Sequence, residues 1–338
     1  MNRVILLVKS FSILSIRRLE TKLKNHSQKV PSTTSQKVDT NQKISQTFAR
    51  LALALGISLV LIPAANAFDV SSPPPTVNPL YWSRAEVSPT TGKEYTNVKI
   101  HKRHNEKTYV QVVDIAGGAQ VKMLQYKATN DSVPKFWLNT IDYWWSQLGD
   151  NRSSRVSVMN GQFYSFDFNL HLSQPWNLIT DPNPLMFGVK ENFQVITYGH
   201  PDAIRENLPY LRQLNIDSNR VWTSGMDLSN SRVKHAIVGY DIEATPQYND
   251  PNNRTALCAL NYISWKPFKR MNVLLMYSGE NKTGSQMYED LKNWGCTKDT
   301  IVVLDGGGST KLITKGAGKV LPGDFRRIPQ AIGIMNNP

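Results

Sequence analysis

Three consecutive glycines, preceded by an aspartate and followed by a serine and a threonine, form a candidate binding or catalytic motif in this chain. Asp305 precedes the glycines, Ser309 and Thr310 follow them, and the whole run comes directly after the apolar residues 301–304. Consecutive glycines let the backbone approach a ligand closely, and their amides can form a concave site for an anion. Asp305 would then project at a strand end beside that anion. The alternative is a tight turn in which Asp305 only accepts hydrogen bonds from backbone amides.

Three further polar residues stand where a site could be built. Arg254 opens the apolar stretch 255–262, and an arginine held at a strand start can clamp a phosphate with two parallel hydrogen bonds. Asn160 follows the apolar stretch 155–159 and is either a turn former or an amide directed into a site. An ordinary surface position is the alternative for Arg254, and Arg326 is a candidate for a second cation.

The motifs that are missing also narrow the function. The sequence has no His-Glu-x-x-His, no Cys-x-x-Cys and no EF-hand spacing, so no metal or cofactor is expected. Its formal net charge of +13 is misleading, because residues 1–67 hold ten Lys and Arg against Glu20 and Asp39. That leaves +5 for the remaining 271 residues, whose aromatics are not interleaved with Lys and Arg. Nucleic acid is therefore not an expected partner.

The first 67 residues have the composition of a targeting leader. Residues 51–62 are apolar, a basic residue precedes them, and the small residues of Ala65-Asn66-Ala67 follow. This pattern predicts a secretory signal with cleavage after Ala67 and an exported mature chain, placed in a periplasm, in a lumen or outside the cell. A retained membrane anchor is the alternative, although the run is short for a bilayer span. Residues 68–97, rich in Pro, Ser and Thr, are predicted to be a linker.

Apolar periodicity predicts a strand-rich domain over residues 98–338. Strands are expected at residues 98–101, 109–114, 121–126, 155–159, 236–240, 255–262, 272–277 and 301–304, and a hairpin at 187–198. The turn at Gly117-Gly118 suggests that 109–114 pairs with 121–126. Helices are expected at residues 134–148, near 203–214 and at 284–294. The predicted fold class is a single α+β domain, with a mixed, largely antiparallel β-sheet core and flanking helices.

Two features of the predicted domain leave alternatives open. The helix at 134–148 carries aromatic residues at helical spacing, which could stack on sugars but more often belong to a core; they are Trp137, Trp144 and Trp145. Cys258 and Cys296 could form a disulfide in an oxidising compartment or remain two buried thiols.

Taken together and in order, these motifs resemble the phosphodiester glycosidase family, which includes N-acetylglucosamine-1-phosphodiester α-N-acetylglucosaminidases. The segment Asn160-Gly161-Gln162-Phe163-Tyr164 is similar to the family's Asn-Gly-Gly-Phe-Phe, and Arg254-Thr255-Ala256-Leu257-Cys258 to its Arg-Thr-Ala-(aliphatic)-Gly. Residues 305–310 resemble its Asp-Gly-Gly-Gly-Ser-Ser, and residues 326–334 its closing motif. The similarity extends over residues 137–334.

The resemblance implies an exported hydrolase that cleaves a sugar-1-phosphodiester to a free sugar and a phosphomonoester. Catalytic roles would fall to Asp305, Arg254 and Asn160. Substrate and phosphate binding would fall to Gly306, Gly307, Gly308, Ser309, Thr310, Thr255 and Arg326. The expected partner is the phosphorylated glycan or sugar-1-phosphodiester itself, and a membrane is expected only if the leader is retained as an anchor.

The chain departs from the family pattern at three positions, one of which is Thr310 in place of a serine. Gln162 and Cys258 stand where the family has glycine, and both could narrow the pocket. The alternative function is therefore a non-catalytic glycan- or envelope-binding protein of the same fold.

Overall fold

The computed structural model describes residues 82–84, 97–149, 151–164, 181–263 and 270–336. The leader expected at residues 1–67, with its cleavage position, lies outside the described residues, as does nearly all of the linker expected at 68–97. Within the described part, no helix has both the length and the apolar character needed to cross a membrane.

Strands dominate this part of the chain, and the helices in it are short. The strands are β1 (Trp82–Arg84), β2 (Val98–Arg103), β3 (Thr108–Asp114), β4 (Ala119–Gln125), β5 (Lys135–Phe136), β6 (Arg155–Asn160), β7 (Asn183–Pro184), β8 (Phe187–Glu191), β9 (Gln194–Gly199), β10 (Leu211–Ile216), β11 (Val221–Ser224), β12 (His235–Tyr240), β13 (Asn252–Ile263), β14 (Arg270–Lys282), β15 (Ile301–Leu304), β16 (Leu312–Thr314), β17 (Gly318–Leu321) and β18 (Gln330–Asn336). The α-helices are α1 (Ile141–Gln147), α2 (Pro201–Asn207) and α3 (Gly284–Asn293).

Two large sheets build the domain. The first has 11 strands and follows the order β1-β2-β3-β14-β13-β15-β12-β10-β11, with β8 on β12 and β9 on β8. The second has five strands in the order β17-β16-β6-β18-β4, and β5 and β7 form a separate pair. Neighbouring strands run antiparallel at every described pairing. The largely antiparallel core was expected, although no parallel pair of the expected mixed sheet occurs among the described strands, and the α+β label with flanking helices fits only loosely.

The main core lies between the two sheets. Its buried residues include Val113, Leu257 and Leu274 from the first sheet and Val156 and Ile332 from the second. Apolar side chains that alternate along strands supply one face of each sheet, and stacking the two faces removes both from water.

The helices cover smaller apolar surfaces. A second cluster on the first sheet includes Met287 and Leu291 of α3, which begins with a capping box between Thr283 and Gln286. The helix α1 packs Trp144 against the five-stranded sheet.

Cys258 and Cys296 form a disulfide, with their Cα atoms 6.3 Å apart. The bridge ties β13 to the segment that follows α3, and both cysteines are buried. The two cysteines are therefore bonded to each other and are not two buried free thiols.

The expected hairpin of residues 109–114 and 121–126 does not form. The corresponding strands β3 and β4 lie in different sheets, where β3 pairs with β2 and β14, and β4 with β18. Gly118 has a φ of +106°, which a glycine tolerates without strain, and the turn carries the chain from one sheet to the other. The predicted pairing rested only on the local turn sequence, whereas the strand partners are set by the packing of the two sheets.

Two helices are shorter than the periodicity predicts. The helix expected at 134–148 begins only at Ile141, because Thr140 caps it by accepting a hydrogen bond from the Tyr143 amide at 3.2 Å. The helix expected near 203–214 ends at Asn207, and β10 begins at Leu211 after a 3₁₀ turn. That turn contains a proline, which lacks the amide needed to continue an α-helix.

Candidate functional site

The ends of three strands meet where the two sheets adjoin. Asn160 ends β6 of the five-stranded sheet, while Asp305 follows β15 of the 11-stranded sheet. The Asn160 side-chain amide donates to the Asp305 carbonyl at 2.6 Å, and the Asp305 amide donates to the Gly161 carbonyl at 3.3 Å. Thr255 of β13 lies opposite Leu304 of β15 in the ladder, which brings the third strand to the same place.

A buried polar network lies under this junction. The Asn160 Oδ1 atom accepts hydrogen bonds from the Thr255 hydroxyl and from the Lys311 amide, each at 3.1 Å. The Thr255 hydroxyl also lies 3.2 Å from that of Thr310. Asn160, Thr255 and Thr310 are all buried. Their polar groups therefore hold the strand ends together, and none of the three lines the cavity described below.

The conformation of the triglycine turn requires its glycines. Gly307 has a φ of +59°. A Cβ atom on Gly306 would lie 2.6 Å from the Asn253 carbonyl oxygen, and one on Gly308 would lie 1.8 Å from the Asp324 Oδ2 atom. No side chain fits in either place without displacing its neighbour.

The turn uses two of the amides that were expected to bind an anion. The amides of Ser309 and Thr310 donate to the carbonyls of Gly306 and Gly307, each at 3.1 Å. The Gly306 amide bonds the Asp305 carboxyl group. The anion site expected across residues 306–310 is therefore narrowed to the amides of Gly307 and Gly308. Ser309 is itself buried.

A cavity of about 390 Å³ opens beside the turn. Of the predicted site residues, those that line it are Asp305, Gly306, Gly307, Gly308, Arg254 and Arg326. Phe163 and the segment around Gln247 form further parts of its wall. The structure thus brings one carboxyl group, a glycine backbone and two guanidinium-bearing residues to one cavity.

The Asp305 carboxyl group has a perturbed acidity. Burial raises its pKa to about 6, while the Ser309 hydroxyl, the Arg326 guanidinium and the Gly306 amide act in the opposite direction. Tyr164 lies close enough that its pKa is raised as well, by burial and then by the Asp305 charge. A carboxyl group with a pKa near 6 is ionised at neutral pH and can serve as a base or a nucleophile.

Arg254 does not have the free guanidinium that a phosphate clamp needs. Its Nε donates to the Lys282 carbonyl at 3.0 Å, and its Nη1 to the Pro246 carbonyl at 3.2 Å. Its Nη2 donates to the carbonyls of Gln247 and, at 2.8 Å, Asp250. Burial lowers the pKa of this guanidinium, while the charges of Asp250 and Tyr277 act in the opposite direction. Four of the five N–H groups of an arginine are therefore used to shape the loop beside the cavity.

Arg326, a candidate from the sequence, forms an ion pair with Asp324. Arg326 Nη2 lies 3.5 Å from the Asp324 Oδ2 atom. The Asp324 amide donates to the Gly308 carbonyl at 3.2 Å, so the pair is held directly against the triglycine turn. Asp324 also lies close enough to Asp305 that its charge adds to the rise in the pKa of that carboxyl group, a proximity that only the folded loop shows.

Lys311 is a further residue that the sequence patterns did not identify. Its buried Nζ donates to the carbonyls of Gly308 at 3.0 Å, Asp324 at 2.6 Å and Pro322 at 3.3 Å. Burial lowers its pKa to about 8. Lys311 thus fastens the loop that carries Asp324 to the turn. The only feature of the sequence that could have identified Lys311 is its position directly after Thr310.

The two departures that were expected to narrow the pocket lie outside the cavity. The Gln162 side chain donates to the Val238 carbonyl and accepts from the Phe163 amide at 2.9 Å. Cys258 lies in the disulfide on β13. Neither residue lines the cavity, so neither narrows it as expected. Among the described residues, no group of three or more His, Cys, Asp or Glu is placed to hold a metal ion.

Comparison with known proteins gives only distant similarities. No protein-family model and no curated protein sequence matches the chain. The structure is similar to the catalytic domain of zebrafish N-acetylglucosamine-1-phosphodiester alpha-N-acetylglucosaminidase, auto-inhibited by its pro-peptide, at 10% identity and a TM-score of 0.44. That alignment covers 76% of this chain and 89% of the zebrafish chain.

Two bacterial structures are similar to a comparable degree. One is a hypothetical protein from Synechocystis, with 10% identity, a TM-score of 0.38 and coverage of 71% of this chain and 62% of that chain. The other is a protein from Burkholderia pseudomallei K96243 described as exported, with 10% identity, a TM-score of 0.39 and coverage of 72% and 75%. At TM-scores below 0.5, these similarities do not establish a shared function.

Proposed function

We propose that this protein hydrolyses the glycosidic bond of a sugar-1-phosphodiester. In this reaction water replaces the phosphate oxygen at the anomeric carbon, so the products are a free sugar and a phosphomonoester. The observation that carries the proposal is the placement of the Asp305 carboxyl group in one cavity with the three glycine backbones and Arg326. That set combines a group that can act on an anomeric carbon with groups that bind a phosphate.

Asp305 is assigned to the anomeric centre. With a pKa of about 6 it is ionised at neutral pH, and an ionised carboxylate can activate water, attack the anomeric carbon or stabilise an oxocarbenium ion. The hydrogen bond from Asn160 to its backbone carbonyl holds it at the strand end. In this assignment Asn160 is a positioning residue, because its buried amide already bonds to Asp305, Thr255 and Lys311.

The phosphate is assigned to the triglycine turn and to Arg326. A phosphodiester leaving group needs stabilisation of its charge more than full protonation, and backbone amides together with a guanidinium supply it. Arg254 contributes through the loop that it shapes, and through the positive charge that it holds next to the cavity. Asp324 lies 3.5 Å from Arg326 and orients that guanidinium.

We propose that the chain acts outside the cytoplasm on phosphorylated glycans. The disulfide between Cys258 and Cys296 supports this location, because disulfides persist in oxidising compartments. The basic and apolar pattern of residues 1–67 supports export as well.

The test is turnover on a panel of sugar-1-phosphodiesters that differ in sugar and aglycone, with and without a chelator. We expect release of both products by the wild type and at least a thousandfold loss of kcat/KM in Asp305→Asn. Asp131→Asn, which removes an exposed carboxylate outside the cavity, is the matched control and should retain full activity. Tight glycan binding without turnover would instead favour the non-catalytic alternative, and near-normal turnover by Asp305→Asn would refute the assignment.

A further inference from the structure

A second cavity, which the proposed reaction does not use, lies beside α1. It has a volume of about 440 Å³, and the residues of interest in its wall are Tyr126, Lys127, Trp137, Asn139, Tyr143 and Arg327. We call it the aromatic cleft. All three of its aromatic residues are exposed: Tyr126 to 42%, Trp137 to 49% and Tyr143 to 38%. Trp144 of the same segment is fully buried, so only part of the predicted aromatic cluster belongs to the core.

The walls of the aromatic cleft are held by backbone hydrogen bonds. The Trp137 amide donates to the Tyr126 carbonyl at 3.0 Å. The amide of Asn139 donates to the Ile328 carbonyl at 3.0 Å, and the Ile328 amide donates back at 2.9 Å. The three chain segments that form the cleft are therefore fixed relative to one another, and ligand binding there would order little further chain.

The rings are also supported from behind. Tyr126 stacks on the buried Trp144, with ring centroids 5.6 Å apart and an interplanar angle of 15°, and its hydroxyl donates to Gln147 at 2.9 Å. Tyr143 packs edge-on against both rings. One face of the Tyr126 ring therefore packs against the protein, and the rest of the ring remains exposed to solvent.

The charged groups of the aromatic cleft are both cations, and its other polar side chains include the hydroxyls of Tyr126 and Tyr143 and the amide of Asn139. Lys127 is exposed and Arg327 is half-buried, while no Asp or Glu is among the described residues that line the cleft. Exposed aromatic faces suit the C–H faces of pyranose rings, and an ammonium, a guanidinium and an amide suit hydroxyl and acidic substituents. A cleft with two cations and no carboxylate has charge complementarity to an anion.

We propose that the aromatic cleft binds an acidic oligosaccharide, with pyranose rings on Trp137 and Tyr126 and acidic groups on Lys127 and Arg327. The cleft and the first cavity are linked along the chain, because Arg327 lines one and Arg326 the other. The Tyr164 hydroxyl donates to the Arg327 carbonyl at 3.1 Å and fixes the backbone between them. This binding does not depend on the hydrolytic activity proposed above.

The test is calorimetric titration of the full chain with hexagalacturonate and with neutral maltohexaose. We expect the wild type to bind the acidic hexamer at least tenfold more tightly at low salt, with the difference shrinking as salt is raised. Arg327→Gln and Lys127→Gln should each reduce that preference. Trp137→Ala should weaken binding of the acidic hexamer at least tenfold, whereas Trp137→Phe, which keeps a ring, should retain most of it.

The controls separate this site from the catalytic proposal and from a general effect of charge. Arg152→Gln removes an exposed cation outside the cleft and should bind the acidic hexamer as the wild type does. Asp305→Asn should also bind it normally, whatever its activity. Equal affinity for the two hexamers, unchanged binding by Trp137→Ala, or binding of anionic vesicles or single-stranded DNA in place of the acidic hexamer would overturn the proposal.

Discussion

The side-chain amide of Asn160 donates to the backbone carbonyl of Asp305 at 2.6 Å, across 145 residues of sequence. This bond joins the end of a strand in the five-stranded sheet to the end of a strand in the 11-stranded sheet. The position of the Asp305 carboxyl group therefore depends on how the two sheets are packed. The catalytic proposal treats Asn160 accordingly, as a residue that acts through Asp305.

Replacement of Asn160 by alanine should lower both stability and turnover. The change leaves the Asp305 carbonyl, the Thr255 hydroxyl and the Lys311 amide without the partner that Asn160 supplies, at a cost of about 3 kcal/mol in the free energy of unfolding. We expect kcat to fall at least tenfold with a smaller change in KM, measured by urea unfolding and steady-state kinetics. Asn130→Ala, at an exposed position, is the control. An Asn160 variant as stable and active as that control would contradict the account.

The raised pKa of Asp305 predicts a pH-dependent difference in stability. The folded state holds this proton more tightly than the unfolded state, since the pKa rises from 3.8 to about 6. The contribution of Asp305 to stability is then complete below about pH 4 and is lost as the pH rises through 6. The full loss is about 3 kcal/mol.

Asp305→Asn, which does not titrate, provides the measurement. Relative to the wild type, its free energy of unfolding should rise by up to about 3 kcal/mol between pH 4 and pH 7, as followed by urea unfolding at each pH. A difference between the two proteins that stays constant across this range would show that the carboxyl group is not desolvated.

Arg254 and Arg326 are expected to respond differently to substitution by lysine. A lysine at position 254 cannot reach the four carbonyls that the guanidinium bonds, so Arg254→Lys should lose about 3 kcal/mol of stability. Arg326→Lys should change stability little and raise KM for the phosphodiester, because its guanidinium is assigned to the phosphate. The comparison needs unfolding curves and KM for both variants. If Arg254→Lys is stable but has a strongly raised KM, Arg254 binds the phosphate, as the sequence predicted.

Gly308 tests whether the triglycine turn depends on its contact with Asp324. A Cβ atom there would lie 1.8 Å from the Asp324 Oδ2 atom, so Gly308→Ala must displace the Asp324 side chain and with it the guanidinium of Arg326. We expect kcat/KM to fall at least a hundredfold. Gly225→Ala is the matched control, because nothing lies within 4 Å of its Cβ position. Equal activity in the two variants would show that this contact does not matter for catalysis.

The elements that could be predicted from the sequence are those with strong local signals. The helix α3 carries its own capping residues, Thr283 and Gln286, and Gly295 follows its end with a φ of +93°. The strands β13, β14 and β15 are buried over long stretches and appear as continuous apolar runs. Asp305 and its glycines stood out because a strand end and three glycines are recognisable without any tertiary information.

The remaining features depend on contacts between residues far apart in the chain. No local pattern shows that β3 and β4 separate into different sheets, or that the loop before β13 wraps around the Arg254 guanidinium. Asp324 lies beside the turn because its amide bonds the Gly308 carbonyl and because the Lys311 Nζ atom bonds the carbonyls of both residues, contacts that appear only in the folded chain. Where the role of a side chain is set by a distant loop, the residue type alone does not indicate it.

Hydrolysis in ¹⁸O-labelled water tests the central claim most directly, because it identifies the bond that breaks. The substrate is a sugar-1-phosphodiester turned over by the wild type, and the labelled product is identified by mass spectrometry. Attack at the anomeric carbon places the label on the free sugar, leaves the phosphomonoester unlabelled, and is absent in Asp305→Asn. Label in the phosphomonoester, or label in the sugar at a rate unaffected by Asp305→Asn, would contradict the account.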